Sequence, residues 1–169
     1  MRDIVYKIML KKILPNLSFV IVFFTLDRVS KYLILELSRP SGQLDIKVAP
    51  FINFNLIWNN GIAFGLFSFN ENFYYNIMTL FIIVVTFFVV WLSLNSKGLE
   101  KISFLMIIGG ALGNIFDRIF YSSVIDFIDV NYNNFHWFIF NVADIFITLG
   151  VIILITLEFF NLKKHEENF

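Results

Sequence analysis

Residues 73–94, FYYNIMTLFIIVVTFFVVWLSL, form a run of 22 without a charged side chain. A helix crossing the hydrocarbon core of a bilayer needs about 20 mostly apolar residues. This run meets that length alone, so the rest of the chain is measured against it. Residues 102–120 are apolar up to Asp117 and Arg118, and residues 138–160 are apolar apart from Asp144 and Glu158. Residues 13–35 are uncharged up to Leu26 and then carry Asp27, Arg28 and Lys31. The pattern predicts an all-α membrane protein. Its four transmembrane helices fall at about 13–35, 73–94, 102–120 and 138–160, within a single domain covering 1–169.

Composition agrees. Hydrophobic residues make up 58%, charged residues 15%, and the mean hydropathy is +0.76. A soluble domain is about 45–50% apolar and about 25% charged. A soluble core of this length could not hide 23 Phe residues, and disorder is excluded for the same reason. Lys and Arg total 13 and Asp and Glu total 13. Zero net charge removes the electrostatic footing for nucleic-acid binding. Cys is absent, which excludes disulfides, thiolate nucleophiles and Cys-ligated metal centres. His136 and His165 lie far apart, so no His-rich metal site is expected, and no cofactor is called for.

Arg2, Lys7, Lys11 and Lys12 precede the first apolar run, as in a signal peptide. No small-residue cleavage site follows, and the run outlasts a typical h-region, so the first helix is expected to stay uncleaved. Cytoplasmic loops carry excess Lys and Arg. The N-terminal tail has four, the loop around Lys97 and Lys101 two, and the C-terminal tail two (Lys163, Lys164), against Arg39 and Lys47 on the other side. Both termini are therefore expected in the cytoplasm. Between helices 1 and 2, residues 45–58 mix β-branched and aromatic residues with partial alternation, which suits short strands. Residues 62–69, IAFGLFSF, could form an interfacial helix.

Ionisable groups inside a bilayer are costly and are functional candidates by default. Their depth is informative. Asp27 lies about 21 Å along helix 1 from residue 13, and Asp117 about 22 Å along helix 3, both running outward. Asp144 opens the inward-running helix 4, and Asp126 follows the end of helix 3. All converge on the outer part of the membrane. Faces agree with depth: Gly110, Gly113, Asn114 and Asp117 share one face of helix 3, and Asn141, Asp144 and Thr148 one face of helix 4. The glycines permit close packing. Asp27 and Lys31 can pair at i, i+4.

Asp126 and Asp144 are the strongest candidates for chemistry. Two carboxylates sharing a site cannot both ionise easily, so one keeps a proton near neutral pH. The ionised partner can take a proton from water while the protonated one polarises a scissile carbonyl. Without Cys, and with no evident serine partner for His136, no nucleophilic dyad competes. The same aspartates could instead cap helices or make structural hydrogen bonds. Asp117 and Arg118 read as an ion pair that positions its neighbours, although Asp117 could belong to the dyad instead. Asn114 and Asn141 could bind substrate backbone or bridge helices. Asp129 and Glu158 are expected to face water or headgroups.

Five short motifs occur in order: Asp27 to Lys31 (DxxSK), Asn59 to Phe64 (NxGxAF), Gly109 to Arg118 (GGALGNxxDR), Val124 to Phe127 (VxDF) and Phe140 to Asp144 (FNxAD). Together they resemble bacterial lipoprotein signal peptidase, the signal peptidase II family. The resemblance implies a metal-independent aspartic endopeptidase of the bacterial inner membrane. Its substrates would be diacylglyceryl-modified prolipoproteins, cut just before the lipidated cysteine, and its inhibitor globomycin. It places the catalytic dyad on Asp126 and Asp144. Supporting or substrate-binding roles fall on Asp27, Lys31, Asn59, Gly110, Asn114, Asp117, Arg118, Asn141 and Ala143. No metal, cofactor or nucleic acid is implied, membrane lipids surround the protein, and a monomer is expected. Three departures touch loop geometry and substrate fit: Trp58 where Tyr is common, Ile62 where Ala is common, and no proline among residues 136–139. Residues after Asn59 could clamp substrate from above.

Two other classes fit intramembrane carboxylates. A proton-coupled transporter would spread its charges along a path through the bilayer and usually carry a repeat. A magnesium-dependent lipid enzyme could use Asp117, Asp126 and Asp144 as oxygen ligands.

Overall fold

The computed structural model describes residues 2–40, 42–61, 72–132 and 135–166. Four helices, α1 (Arg2–Ser38), α2 (Asn72–Asn95), α3 (Gly98–Tyr121) and α4 (Val142–Glu166), carry the four apolar runs. Among the described residues three stretches are long and apolar enough to cross a membrane: Phe73–Asn95, Gly98–Tyr121 and Val142–Phe160. Leu80, Phe81 and Phe87 on α2 are largely exposed, as a lipid-facing surface requires.

Four strands, β1 (Asp45–Ala49), β2 (Ile52–Asn59), β3 (Val124–Tyr132) and β4 (Phe135–Phe140), form one antiparallel sheet in the order β1-β2-β3-β4. The strands expected within 45–58 are present as β1 and β2. The interfacial helix expected at 62–69, and most of the clamp segment, lie outside the described residues. Helices 3 and 4 are joined by the β3–β4 hairpin. The fourth helix begins at Val142, not at 138, because residues 138–140 belong to β4 and pair with Val130, Asp129 and Ile128. An apolar run before a helix cap reads the same whether it is strand or helix.

Connectivity puts the site at one end. The C-termini of α1 and α3 and the N-terminus of α4 each lead directly to or from the sheet, while Ser96 and Lys97 join α2 to α3 at the other end. The central helix α3 packs against the other three. Its glycines are the reason. A Cβ on Gly109 would lie 2.6 Å from Phe23 Cβ on α1, and one on Gly110 would lie 2.5 Å from the Ala143 carbonyl oxygen and 2.9 Å from Ile147 on α4. A Cβ on Gly113 would run into the Asp27 carboxylate. Small residues let helix backbones approach in lipid, where no hydrophobic force drives them together.

Gly110→Ala must therefore separate α3 from α4, since a backbone carbonyl cannot swing aside. Overpacking of this kind costs about 1–3 kcal/mol. Thermal unfolding in detergent is expected to fall by about 5 °C. Leu112→Ala, on the exposed side of the same helix, should leave it unmoved.

Candidate active site

Asp126 sits on β3, with Ile57 of β2 as its register partner and the Asn59–Val124 pair alongside. Paired residues share a face, so Asn59 projects beside Asp126. Its Nδ2 donates to Asp126 Oδ2 at 2.8 Å, and its Oδ1 accepts the Gly61 N–H at 2.8 Å, which fixes the amide's orientation.

Asp144 enters from α4. Asn141 caps that helix: its Oδ1 accepts the Asp144 N–H at 3.0 Å, and Asp144 Oδ2 accepts the Asn141 N–H at 3.2 Å. This is a capping box, two orphan amides satisfied reciprocally. Asn141 Nδ2 also donates to Asp126 Oδ1 at 2.6 Å. One asparagine thus touches both carboxylates. Asn114 of α3 donates from Nδ2 to Asp144 Oδ1 at 2.8 Å, and its Oδ1 accepts from Asn141 Nδ2 at 3.1 Å and Lys31 Nζ at 3.0 Å.

A second layer lies beneath. Lys31, wholly buried, pairs with Asp27 Oδ2 at 3.0 Å and Asp117 Oδ2 at 2.7 Å. Each of those aspartates then accepts a backbone amide. Asp27 Oδ1 takes the Ala143 N–H at 3.0 Å, and Asp117 Oδ2 takes the Ile125 N–H at 3.3 Å. Ala143 immediately precedes Asp144, and Ile125 immediately precedes Asp126. Ala143 has a further duty, since its carbonyl faces Gly110.

Electrostatics follow from burial. The Asp126 carboxyl is raised to about 7, first by desolvation and second by the charge of Asp144. Hydrogen bonds from Asn59 and Asn141 and the charge of Lys31 oppose the rise without cancelling it. Beside Asp144, Phe140, Ile145, Thr148 and Leu149 line an almost wholly apolar cavity of about 270 Å³.

The structure brings all the sequence-predicted site residues together, with two corrections. Asp117 does not pair with Arg118. Successive helical residues point about 100° apart, and Asp117 turns toward α1, where Arg28 and Lys31 meet it. Arg118 instead donates to the carbonyls of Asn114 and Gly61, each at 3.2 Å. Asp129 does not face water. It is fully buried, and its Oδ2 lies 2.7 Å from Nδ1 of the half-exposed His136, which β4 folds back beside it. Glu158 is exposed, as expected. Sequence reasoning passed over Arg28, although a second charge beside Asp27 inside an apolar span was a signal. Tyr75 of α2 was also missed. It is buried, its hydroxyl has no hydrogen-bond partner among the described residues, and it lies within electrostatic range of Arg118. Both oxygens of Asp117 are occupied, and among the described residues no group of three or more His, Asp or Glu could hold a metal ion.

Apolar helices meeting under a small sheet, with a polar network sealed where they join, define a multi-pass membrane protein with its site at one end of the bundle. The model of the family described as signal peptidase (SPase) II matches residues 19–160. A lipoprotein signal peptidase of Pelagibacter ubique is 47% identical over 162 residues, covering 95% of this chain and 98% of that protein. One from Thermodesulfovibrio yellowstonii is 39% identical, covering 86% and 92%. A solved bacterial membrane enzyme superposes with a TM-score of 0.73 at 26% identity, covering 89% of this chain and 90% of its own. The chain belongs to the signal peptidase II family and is a protease.

Lys31→Met tests the lower layer. It leaves Asp27 Oδ2 and Asp117 Oδ2 without their shared cation at zero exposure. Breaking a buried pair from one side costs about 3–5 kcal/mol. The variant is expected to unfold well below the parent temperature, read by thermal denaturation in detergent.

Proposed function

We propose that this chain is an aspartic endopeptidase that removes signal peptides from diacylglyceryl-modified prolipoproteins, cutting before the lipidated cysteine, with Asp126 and Asp144 as its dyad. The observation that carries the reading is the bridge through Asn141, which holds the Asp126 carboxylate with its side-chain amide and the Asp144 carboxylate with its backbone amide. Charge balance supports it. Asp27, Asp117, Asp126 and Asp144 are set against Arg28, Lys31 and Arg118, four carboxylates to three cations, all in one polar cluster. One proton on the pair makes the site neutral.

The ionised member takes a proton from water as its oxygen attacks the scissile carbonyl carbon. The protonated member gives its proton to the carbonyl oxygen. Return of a proton to the amide nitrogen then breaks the C–N bond. Nothing in these steps calls for a metal ion. Asn59, Asn114 and Asn141 hold the dyad's oxygens, and Asp27, Lys31, Asp117 and Arg118 fix the elements beneath. Gly110 and Ala143 allow α3 and α4 to meet. Globomycin is expected to occupy the same site.

The chain works as one domain in the bacterial inner membrane, with α1 as a fourth span, both termini in the cytoplasm and the sheet at the outer face. The charge bias of the tails and the α2–α3 turn supports this orientation. It puts the dyad where a signal-peptide helix stays in lipid, its cleavage site meets water, and the acyl chains remain in the outer leaflet. The apolar cavity beside Asp144 suits the uncharged residues of such a substrate. A monomer suffices, because this chain supplies every group in the network.

Cleavage of a diacylglyceryl-modified prolipoprotein in detergent with excess chelator is the direct test. Full activity is expected for the parent, with a loss of at least about 10³-fold for Asp126→Asn and for Asp144→Asn. Undiminished cleavage by either folded variant removes that residue from the mechanism. A second test uses pH. Asp126 is raised to about 7, above its ordinary value, so the stability it contributes is fully present below the usual carboxylate range and is lost as pH rises through about 7. Rate should fall over the same upper window as the shared proton leaves. The parent is expected to melt lower at pH 8 than at pH 6, a difference that Asp126→Asn, which cannot ionise, should lack while remaining inactive.

A further inference from the structure

Arg28 is adjacent to the proposed dyad's support yet touches neither of its members. Its Nη1 pairs with Asp117 Oδ1 and donates to the Gly113 carbonyl at 3.4 Å. Its guanidinium carbon lies 4.6 Å from the centroid of the Phe116 ring. Arg28 and Phe116 together line an aromatic groove with Phe24, Tyr32 and Tyr121. The side chain is 17% exposed, whereas Asp117 is completely buried.

The two oxygens of Asp117 therefore have separate duties. Oδ2 faces inward, to Lys31 Nζ and the Ile125 N–H. Oδ1 faces outward, to Arg28. If that outer contact is lost, one oxygen of a fully buried carboxylate is left without its partner. The carboxylate then gains by rotating toward Lys31, which draws Oδ2 off the Ile125 amide. Ile125 is wholly buried at the start of β3, and its neighbour is Asp126, so a shift there moves Asp126 against Asp144. Asp144 has an equivalent tether from α1, through Asp27 and the Ala143 amide. Helix α1 thus holds both halves of the pair, and Arg28 is the outer lock on one of them.

We propose that Arg28 is a positioning residue for the Asp126–Asp144 pair, acting through Asp117. The proposal rests on the dyad reading given above. It concerns alignment and field together. The charged groups around the pair are Asp27, Arg28 and Lys31 on α1, and Asp117 and Arg118 on α3, with the titratable Tyr75 on α2. Removing Arg28 leaves four carboxylates against two cations. Lys31 stays 2.7 Å from Asp117, and losing the Arg28 charge makes the cluster more negative, which favours the protonated form of Asp126.

The test measures kcat, KM and the pH–rate profile of full-length Arg28→Gln and Arg28→Lys on a diacylglyceryl-modified prolipoprotein. Arg28→Gln is expected to lower kcat about tenfold, with KM changed less than about twofold, and to move both limbs of the profile upward by about half a pH unit. Arg28→Lys restores the charge and is expected to bring the limbs back and recover most of kcat. A folded Arg28→Gln enzyme with the parent's kcat and limbs overturns the proposal. So does a slow Arg28→Gln enzyme with unshifted limbs that Lys fails to rescue, because that pattern is structural only. If Arg28→Gln does not fold, Phe116→Leu removes the ring beneath the guanidinium and leaves the charge. It should slow kcat about two- to threefold, and an unchanged kcat there overturns the proposal too. Failure of the dyad reading looks different: Asp126→Asn or Asp144→Asn would remain active.

Discussion

One buried ammonium organises the polar half of this protein. Lys31 lies between Asp27 and Asp117 with no exposure to solvent, and it also reaches Asn114. A lone charge could not stay there, since moving it out of water costs several kcal/mol even after relaxation. Two carboxylates and an amide oxygen make it tolerable, and each of those acceptors is itself tied to another element. Asp27 holds α4 through the Ala143 amide, Asp117 holds β3 through the Ile125 amide, and Asn114 reaches Asp144. A single lysine on α1 therefore sets where a strand and a helix from the other half of the chain begin. Hydrophobic packing could not fix this, because apolar surfaces slide past one another in lipid at little cost.

The two layers of carboxylates differ in what satisfies them. Asp27 and Asp117 have cations within reach and serve as anchors. Asp126 and Asp144 receive neutral donors, from Asn59, Asn114 and Asn141. Neutral amides orient an oxygen without strongly favouring its ionised form. That is why burial prevails at Asp126 and leaves it titrating near neutrality. The arrangement stabilises the fold less than cations would, and it keeps a proton available for transfer. Perturbed carboxylates gather at functional sites for this reason.

Much of this was legible in the sequence. Length and charge gave the helices, and the depth of the aspartates gave one polar layer, because rise per residue is fixed. The glycine spacing on α3 foretold close packing, although not that Gly109 meets α1 while Gly110 meets α4. The β3–β4 hairpin was hidden by chemistry rather than by weak signal. Phe138, Ile139 and Phe140 suit a strand and a membrane helix equally, and only pairing with β3 decides. Asp129 was misjudged for the same reason, since its burial depends on His136 coming back across the hairpin. Arg28 and Arg118 show the limit of reading neighbours along a chain. Asp117 ignores the arginine beside it and takes one from α1, 89 residues away in sequence.

A site of this kind needs both a helix and a strand. Four antiparallel helix ends alone would leave unpaired amides and carbonyls where they stop. Here Asn141 caps α4, the sheet pairs most of its own backbone, and the amides of Ile125, Asn141 and Ala143 that remain are taken up by Asp117, Asp144 and Asp27. The proposed dyad draws one member from each type of element. Asp126 rides on a strand whose neighbours on both sides fix its register, and Asp144 on the first turn of a helix whose cap fixes its rotation. Asn141 belongs to both, as the residue where the strand path ends and the helix begins. Separation of the carboxylates is then set by one residue's backbone amide and side chain instead of by the packing of whole helices, which in a membrane can shift by fractions of an ångström as lipids rearrange. Hydrolysis demands the finer tolerance, since a reacting geometry must be held to about 0.5 Å.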